Sequence, residues 1–370
     1  MLARPERTPP GHVLPVFPWD TLTETRARAS AHPDGLVDLT VGTPVDPVAP
    51  VIREALAADS AQPGYPTTAG TPHLRRAIVD ALARRHGVTG LAPDAVLPVI
   101  GTKELIAGLP AQLGLGPGHT VVVPEVAYPT YEVCALLAGC TVLRADSLMQ
   151  LGPSSPTLLY LNSPSNPTGK VLGTPHLRKV VGWARDRGVI VAADECYLGL
   201  AWEGEAPSIL DPRVSEGDHT GLLALHSLSK TSNLASYRAG FVAGDPALVA
   251  DLLEVRKHSG LMMPLPVQSA MTAALTDDAH AVEQRERYRA RRERLRPAVA
   301  AAGFRIDNSE AGLYLWATRE EACRDTVEWF AERGVLVAPG EFYGPAGARH
   351  VRIALTASDA TIEEAVRRLA

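Results

Sequence analysis

The chain contains little cysteine and no long apolar run, and each absence excludes a class of protein. Its 370 residues include four cysteines, which lack the Cys-x-x-Cys and Cys/His spacings of zinc sites. Such sparse cysteines are typical of reduced thiols in the cytoplasm and not of a disulfide framework. No stretch reaches the roughly 18 apolar residues that a membrane helix requires, and the first 20 residues contain no apolar signal core. We therefore expect a cytoplasmic protein without a metal site.

An excess of positive charge is also missing. The formal net charge is −5 at pH 7, which provides no bulk attraction to nucleic acid or to an anionic membrane. The arginine-rich segment 282–302 mixes charges of both signs, as a solvated helix face does. Internal repeats and low-complexity tracts do not occur. These properties leave small molecules as the expected ligands.

Hydrophobic residues make up 46% of the chain, which is enough for a large core. From about residue 95, apolar segments of strand length alternate with helical segments. This pattern predicts an α/β fold, with a mostly parallel sheet, helices on both faces and ligands at the carboxyl ends of the strands. The predicted strands are 95–100, 120–124, 141–144, 157–161, 189–193, 221–225 and 240–243.

The pattern changes after about residue 275. A long charged helix is followed by short strands at 304–306, 313–317, 335–337 and 350–355 and by two helices, which is typical of an α+β domain. We predict an N-terminal arm with part of a small domain at 1–45, a large domain at 46–275 and a small C-terminal domain at 276–370.

One lysine, Lys230, lies among serines between two of the predicted strands. A lysine screened from water has its ammonium form disfavoured and can act as a nucleophilic amine. The hydroxyls of Ser227 and Ser229 and the guanidinium of Arg238 suit a phosphate dianion. An amine beside a phosphate site suggests pyridoxal phosphate, although a polar loop with a solvated lysine fits this segment equally well.

Two other charged residues lie at or within predicted strands. Asp194 ends an apolar strand, with Tyr197 three residues later. A buried carboxylate requires a cation; a pyridinium nitrogen would serve, and the alternative is a helix cap. Arg352 lies within an apolar strand and implies a carboxylate partner, either from the protein or from a substrate.

Two turns complete the set of candidates. Segment 101–104 ends a strand and opens a helix, where backbone N–H groups favour an anion. Segment 161–169 ends another strand in a turn rich in proline and asparagine, which by itself needs no function.

Together these residues resemble the fold-type I, aspartate-aminotransferase-like enzymes that depend on pyridoxal phosphate, and the resemblance covers about 36–370. It rests on order and spacing. The matching residues are Tyr65 and Gly70, Asn166-Pro167-Thr168-Gly169, Asp194 and Tyr197, and Ser227, Lys230 and Arg238. Many relatives have glycine before the phosphate arginine, whereas this chain has Ser236-Tyr237-Arg238.

The resemblance implies a role for each residue. Lys230 would form an aldimine with pyridoxal 5'-phosphate and move the substrate proton, and Asp194 would pair with the pyridine nitrogen. Tyr197 and Asn166 would contact the ring hydroxyl, and Tyr128 would stack on the ring. The residues expected at the phosphate are Thr102 and Lys103 (through backbone N–H groups), Ser227, Ser229 and Arg238. Those expected at the substrate carboxylate are Gly42 (backbone), Asn166 and Arg352.

The resemblance also implies a homodimer with shared active sites, because Tyr65 would reach the phosphate of the neighbouring subunit. Within the family, stretches 17–20, 41–47, 101–105 and 161–167 look like those of succinyldiaminopimelate transaminases. This likeness implies ping-pong amino transfer between glutamate and N-succinyl-2-amino-6-ketopimelate in lysine biosynthesis.

Several alternatives use the same residues. An aminotransferase for aspartate, acetylornithine or aromatic amino acids differs only in the loops that contact the side chain. A C–S β-lyase differs only in what leaves the substrate β-carbon. A transcriptional regulator would need a fused DNA-binding module, for which we expect no room before the first strand.

Overall fold

The computed structural model describes residues 9–153 and 155–370. Its α-helices are α1 (Thr23–Ser30), α2 (Pro50–Ala58), α3 (Pro72–His86), α4 (Thr102–Gln112), α5 (Thr130–Ala138), α6 (Leu148–Leu151), α7 (Thr174–Arg185), α8 (Pro212–Ser215), α9 (Leu228–Thr231), α10 (Pro246–Ser259), α11 (Leu265–Thr276), α12 (Ala279–Ala301), α13 (Cys323–Ala331) and α14 (Asp359–Leu369). Its strands are β1 (Val37–Asp38), β2 (Val96–Val99), β3 (Thr120–Val123), β4 (Thr141–Arg144), β5 (Leu158–Asn162), β6 (Ile190–Asp194), β7 (Leu222–Ser227), β8 (Gly240–Gly244), β9 (Arg305–Asp307), β10 (Tyr314–Thr318), β11 (Val335–Leu336), β12 (Ala338–Pro339) and β13 (Val351–Ala354).

Seven strands form the larger sheet, in the order β2-β8-β7-β6-β5-β3-β4. Strands β7, β6, β5, β3 and β4 are parallel neighbours, and β8 is antiparallel to both β2 and β7. Helices α3, α7 and α11 pack against one face, and α4, α5 and α10 pack against the other. This arrangement confirms the predicted mostly parallel sheet with helices on both faces. Strands rich in valine, leucine and alanine form such a sheet because it buries them on both sides.

A second sheet has four antiparallel strands in the order β12-β13-β10-β9, and β1 pairs with β11 beside it. Its core combines residues from both ends of the chain, including Leu22 and Leu39 with Leu295 and Phe330. The N-terminal segment therefore packs with the C-terminal strands and helices. The domain boundaries near residues 45 and 275 stay a prediction.

All strands predicted from the sequence are present, with ends within two residues of their predicted positions. The long charged helix begins at Ala279 and not near residue 282, because Asp277 accepts hydrogen bonds from the backbone N–H groups of Ala279 and His280. In the described part of the chain, no helix has the length and hydrophobicity to cross a membrane.

The topology brings three polar strand ends to one edge of the larger sheet. Asn162, Asp194 and Ser227 are the last residues of the neighbouring strands β5, β6 and β7. Asn162 pairs in register with Asp194. The carboxyl edge of a parallel sheet is where ligands bind in this type of fold, so this edge is the candidate site.

Candidate active site

Lys230 lies in the short helix α9, which directly follows β7. The side chain of Ser227 caps this helix by accepting a hydrogen bond from the Ser229 N–H at 3.1 Å. The Lys230 ammonium donates to the carbonyl oxygen of Gly42. Burial lowers the pKa of the Lys230 amine, and the charge of Arg352 acts in the same direction. The amine is therefore easier to deprotonate than a solvated lysine, as a nucleophile or a base requires.

Asp194 is buried at the end of β6 and is held by two neutral donors. Its Oδ1 accepts from the Cys196 N–H at 3.1 Å, and its Oδ2 accepts from the Tyr131 hydroxyl at 2.6 Å. Burial raises the pKa of Asp194 even though these bonds oppose the shift. A buried carboxylate whose donors are neutral is suited to a cationic ligand. Sequence reasoning did not identify Tyr131 as part of the site.

Arg352 is buried in β13, and both of its bonded partners are neutral. Its Nη1 donates to Asn166 Oδ1 at 3.0 Å, and its Nη2 donates to the carbonyl oxygen of Thr40. The Arg352 Nε has no hydrogen-bond partner in the described structure. Of the two alternatives that the sequence left open, the geometry favours a ligand carboxylate, which a guanidinium binds through two parallel bonds.

A second unpredicted tyrosine, Tyr314, joins these groups. Its hydroxyl lies 3.1 Å from that of Tyr197, and its ring lies under the Arg352 guanidinium at 4.0 Å. The hydroxyl also packs directly on Gly42, where a Cβ atom would overlap it. Glycine at this position therefore allows Tyr314 to approach the backbone segment that accepts the Lys230 hydrogen bond.

The turn before α4 provides a candidate anion site. Gly101 has φ +90° and makes no side-chain cap, so the first N–H groups of the helix, including those of Thr102 and Lys103, lack helical acceptors. The Arg238 guanidinium packs against Gly101 so closely that a Cβ there would overlap it. Cys196 contacts the Thr102 hydroxyl at 3.5 Å, which ties the turn to the end of β6.

The two remaining predicted residues differ in their placement. Tyr128 precedes α5 and packs edge to face on Tyr131 at 5.8 Å, close to the donor that holds Asp194. Burial raises the pKa of Tyr128, and the charge of Asp194 adds to the shift. Tyr65 is 96% exposed and joins none of these groups within one chain. Its contact with a neighbouring subunit stays a prediction.

The residues gathered here fit pyridoxal 5'-phosphate. Lys230 offers a buried amine of lowered pKa, and Asp194 offers a carboxylate without a cation among its bonded partners. The helix N-terminus beside Arg238 offers donors for a phosphate. Such a set matches an aldehyde, a ring nitrogen and a phosphate on one small molecule.

Comparison with known proteins agrees with this fit. A family model described as aminotransferase class I and II matches residues 34–369. A probable aminotransferase of Mycobacterium tuberculosis is 68% identical over 99% of this chain and 88% of its own length. The 4-dedimethylamino-4-oxo-anhydrotetracycline transaminase OxyQ of Streptomyces rimosus is 56% identical over 96% of this chain and 99% of its own length.

A solved structure is also similar. The probable N-succinyldiaminopimelate aminotransferase from Thermus thermophilus superposes with a TM-score of 0.86 at 28% identity, covering 95% of this chain and 99% of that one. The family match extends over both sheets and includes all of the gathered residues. The chain therefore belongs to the class I and II aminotransferases, enzymes of fold type I that depend on pyridoxal 5'-phosphate.

Proposed function

We propose that the protein transfers an amino group between glutamate and N-succinyl-2-amino-6-ketopimelate, a reaction of lysine biosynthesis. The observation that carries the amino-acid part of this proposal is Arg352, a buried guanidinium with neutral partners close to Lys230. Every substrate of such a reaction carries an α-carboxylate, which would neutralise Arg352. The succinyl part of the proposal is supported by the four stretches named above and by the similar enzyme from Thermus thermophilus.

In the proposed reaction, Lys230 would take the proton from the substrate α-carbon and deliver it two atoms away, across the amino nitrogen, to the carbon that the cofactor contributes (a 1,3-shift). Bound pyridoxal 5'-phosphate supplies a protonated ring that accepts the electron pair left behind. Asp194 keeps that ring nitrogen protonated, and its own position is held by Tyr131 and the Cys196 N–H. Acid–base catalysis by a positioned group contributes about 10²–10⁴-fold. The lowered pKa of Lys230 makes the neutral amine, which is the form that accepts a proton, easier to reach.

We propose that Arg352 and the Gly42 backbone hold the α-carboxylate, so that the reacting C–H bond has a fixed orientation. Asn166, which accepts from Arg352 at 3.0 Å, keeps the guanidinium in place. Asn166 and Tyr197 would also contact the ring hydroxyl of the cofactor, and Tyr128 would stack on the ring.

The phosphate would bind Arg238, the Ser227 and Ser229 hydroxyls and the first N–H groups of α4 at Thr102 and Lys103. We further propose a homodimer in which Tyr65 reaches the phosphate site of the neighbouring subunit. Tyr65 is almost fully exposed in the single chain, so its side chain is available to a partner subunit.

A succinylated substrate carries further carboxylates at its far end, and these need cations or backbone donors. Lys103 is our candidate for one of them. Its ammonium lies 5.8 Å from the centroid of the Phe17 ring, so it extends from the phosphate turn toward the N-terminal segment. Phe17 in turn packs on Trp19, which contacts Phe342 of the second sheet's core.

A second candidate substrate is a ketone on a fused polycyclic ring. The observation that favours it is the 56% identity to OxyQ, which exceeds the identity to the Thermus thermophilus enzyme. Such a substrate would use Lys230 and the phosphate site in the same way but would place a large apolar body where the succinyl arm would lie.

One panel of kinetic assays separates these candidates. We would measure kcat/KM for succinyldiaminopimelate, acetylornithine, aspartate and phenylalanine, each with 2-oxoglutarate. With glutamate as donor, we would compare N-succinyl-2-amino-6-ketopimelate with 4-dedimethylamino-4-oxo-anhydrotetracycline. A site with polar groups for a dianionic arm should reject mismatched substrates by up to about 10⁴–10⁵-fold.

A tenfold or greater preference for aspartate, an aromatic amino acid or the polycyclic ketone would refute the succinyldiaminopimelate assignment. Steady release of pyruvate from cystathionine without 2-oxoglutarate would instead indicate a C–S β-lyase.

A further inference from the structure

Tyr314 occupies the centre of the candidate site, although no role follows for it from the sequence. It is 4% exposed at the start of β10. In the antiparallel pair β10–β13, Trp316 lies opposite Arg352, so Tyr314 projects from the same face as Arg352. Its hydroxyl lies 3.1 Å from the Tyr197 hydroxyl and packs on Gly42, the acceptor of the Lys230 hydrogen bond.

We propose that Tyr314 is a positioning residue for proton transfer, which orients the Tyr197 hydroxyl and, through the Gly42 backbone on which it packs, the Lys230 amine. This inference rests on the proposed function, in which Lys230 moves the proton. Tyr314 would act through these two side chains and through Arg352, whose guanidinium lies over its ring at 4.0 Å.

The charges around Tyr314 support this role. Burial opposes ionisation of its phenol, but the facing cations Arg352 and Lys230 together lower its pKa below the ordinary tyrosine value. The interaction is mutual, because Tyr314 is the largest influence that raises the pKa of Lys230 against burial. The other titratable groups that face Tyr314 are Tyr197, Cys196, Tyr128, Tyr343 and Tyr288.

A purely structural role would not require the hydroxyl. Phenylalanine would fill nearly the same volume and would still present a ring to Arg352. The Tyr314 hydroxyl is buried, and a buried hydroxyl requires a partner; it finds one in Tyr197. The space for it exists because residue 42 has no side chain. We therefore assign the positioning role to the hydroxyl of Tyr314 and not to its ring.

The test uses the full chain freed of cofactor, so that catalysis does not enter the measurement. The rate at which an amine-reactive reagent modifies Lys230 is followed against pH by peptide mass spectrometry. Tyr314→Phe should lower the midpoint of this titration by about one pH unit, since a nearby group that favours the charged form has been removed. The matched control is Tyr343→Phe, which removes a buried hydroxyl that has no hydrogen-bond partner in the described structure. An unchanged midpoint in folded Tyr314→Phe would overturn the proposal, as would equal shifts in the two variants.

A second measurement needs no variant to fold. Phenolate absorbance of the cofactor-free wild type should show one of the nine tyrosines ionising at lower pH than a free phenol, and absence of this step would also overturn the proposal. A separate experiment shows whether the proposed function itself fails. Borohydride reduction of the loaded protein, followed by peptide mapping, shows whether the cofactor is attached to Lys230 or to another residue.

Discussion

Removal of one hydroxyl, in Tyr131→Phe, should shift the pH dependence of the enzyme. The Tyr131 hydroxyl donates to Asp194 Oδ2 at 2.6 Å in a buried setting. A hydrogen bond to a charged group contributes about 1.5–3 kcal/mol. Because one pKa unit corresponds to about 1.36 kcal/mol, loss of this donor should raise the pKa of Asp194 by about 1–2 units.

The sign of the effect on activity follows from the charge that the reaction needs. Burial already raises the pKa of Asp194, and the proposed role requires the ionised form. Activity should therefore be present above this pKa and lost as pH falls through it. In Tyr131→Phe, the acid limb of the kcat/KM profile should move to higher pH by about 1–2 units, while the basic limb should stay in place.

A matched control is available beside Tyr131. Tyr160 is equally buried and stacks on Tyr131 at 4.8 Å, but its hydroxyl donates to the carbonyl oxygen of Ile106 at 3.4 Å. Tyr160→Phe should leave the acid limb unchanged. If Tyr131→Phe shows no shift, or if both variants shift alike, the hydrogen bond to Asp194 does not set its protonation and the reasoning is wrong.

Three further predictions concern the other parts of the site. Lys230→Ala should abolish turnover and the visible absorption of the loaded protein, whereas Lys257→Ala, on the exposed side of α10, should leave both intact; full activity of Lys230→Ala would exclude its role. Gly42→Ala should lower stability by about 1–3 kcal/mol in thermal unfolding, because its Cβ would overlap Tyr314, while Gly182→Ala in α7, which has open space, should not. Mixing Tyr65→Phe with Lys230→Ala should restore activity if Tyr65 acts across a dimer, since one site of each mixed dimer is then intact; no recovery despite verified subunit exchange would indicate a site within one chain.

The fold could be predicted because its signals are local. Each strand of the larger sheet is a short apolar run bounded by turn residues, so its position follows from the adjacent sequence alone. Strand ends were predictable for the same reason, and with them Asp194 and Ser227, which lie at the edge where the site forms. The predicted start of α12 was later than the observed one, because Asp277 forms hydrogen bonds with the first turn that hydrophobic periodicity does not reveal.

The two residues that sequence reasoning missed share a different property. Tyr131 meets Asp194 across 63 positions, and Tyr314 meets Tyr197 across 117. Each tyrosine lies in a regular element whose local pattern explains it fully as core, and both are indeed buried. What distinguishes them is the direction of one hydroxyl, which depends on how distant elements pack. The residues that we propose to hold the ligand lie at strand ends and turns, which the sequence reveals, whereas the residues that orient them become visible only when the chain is folded.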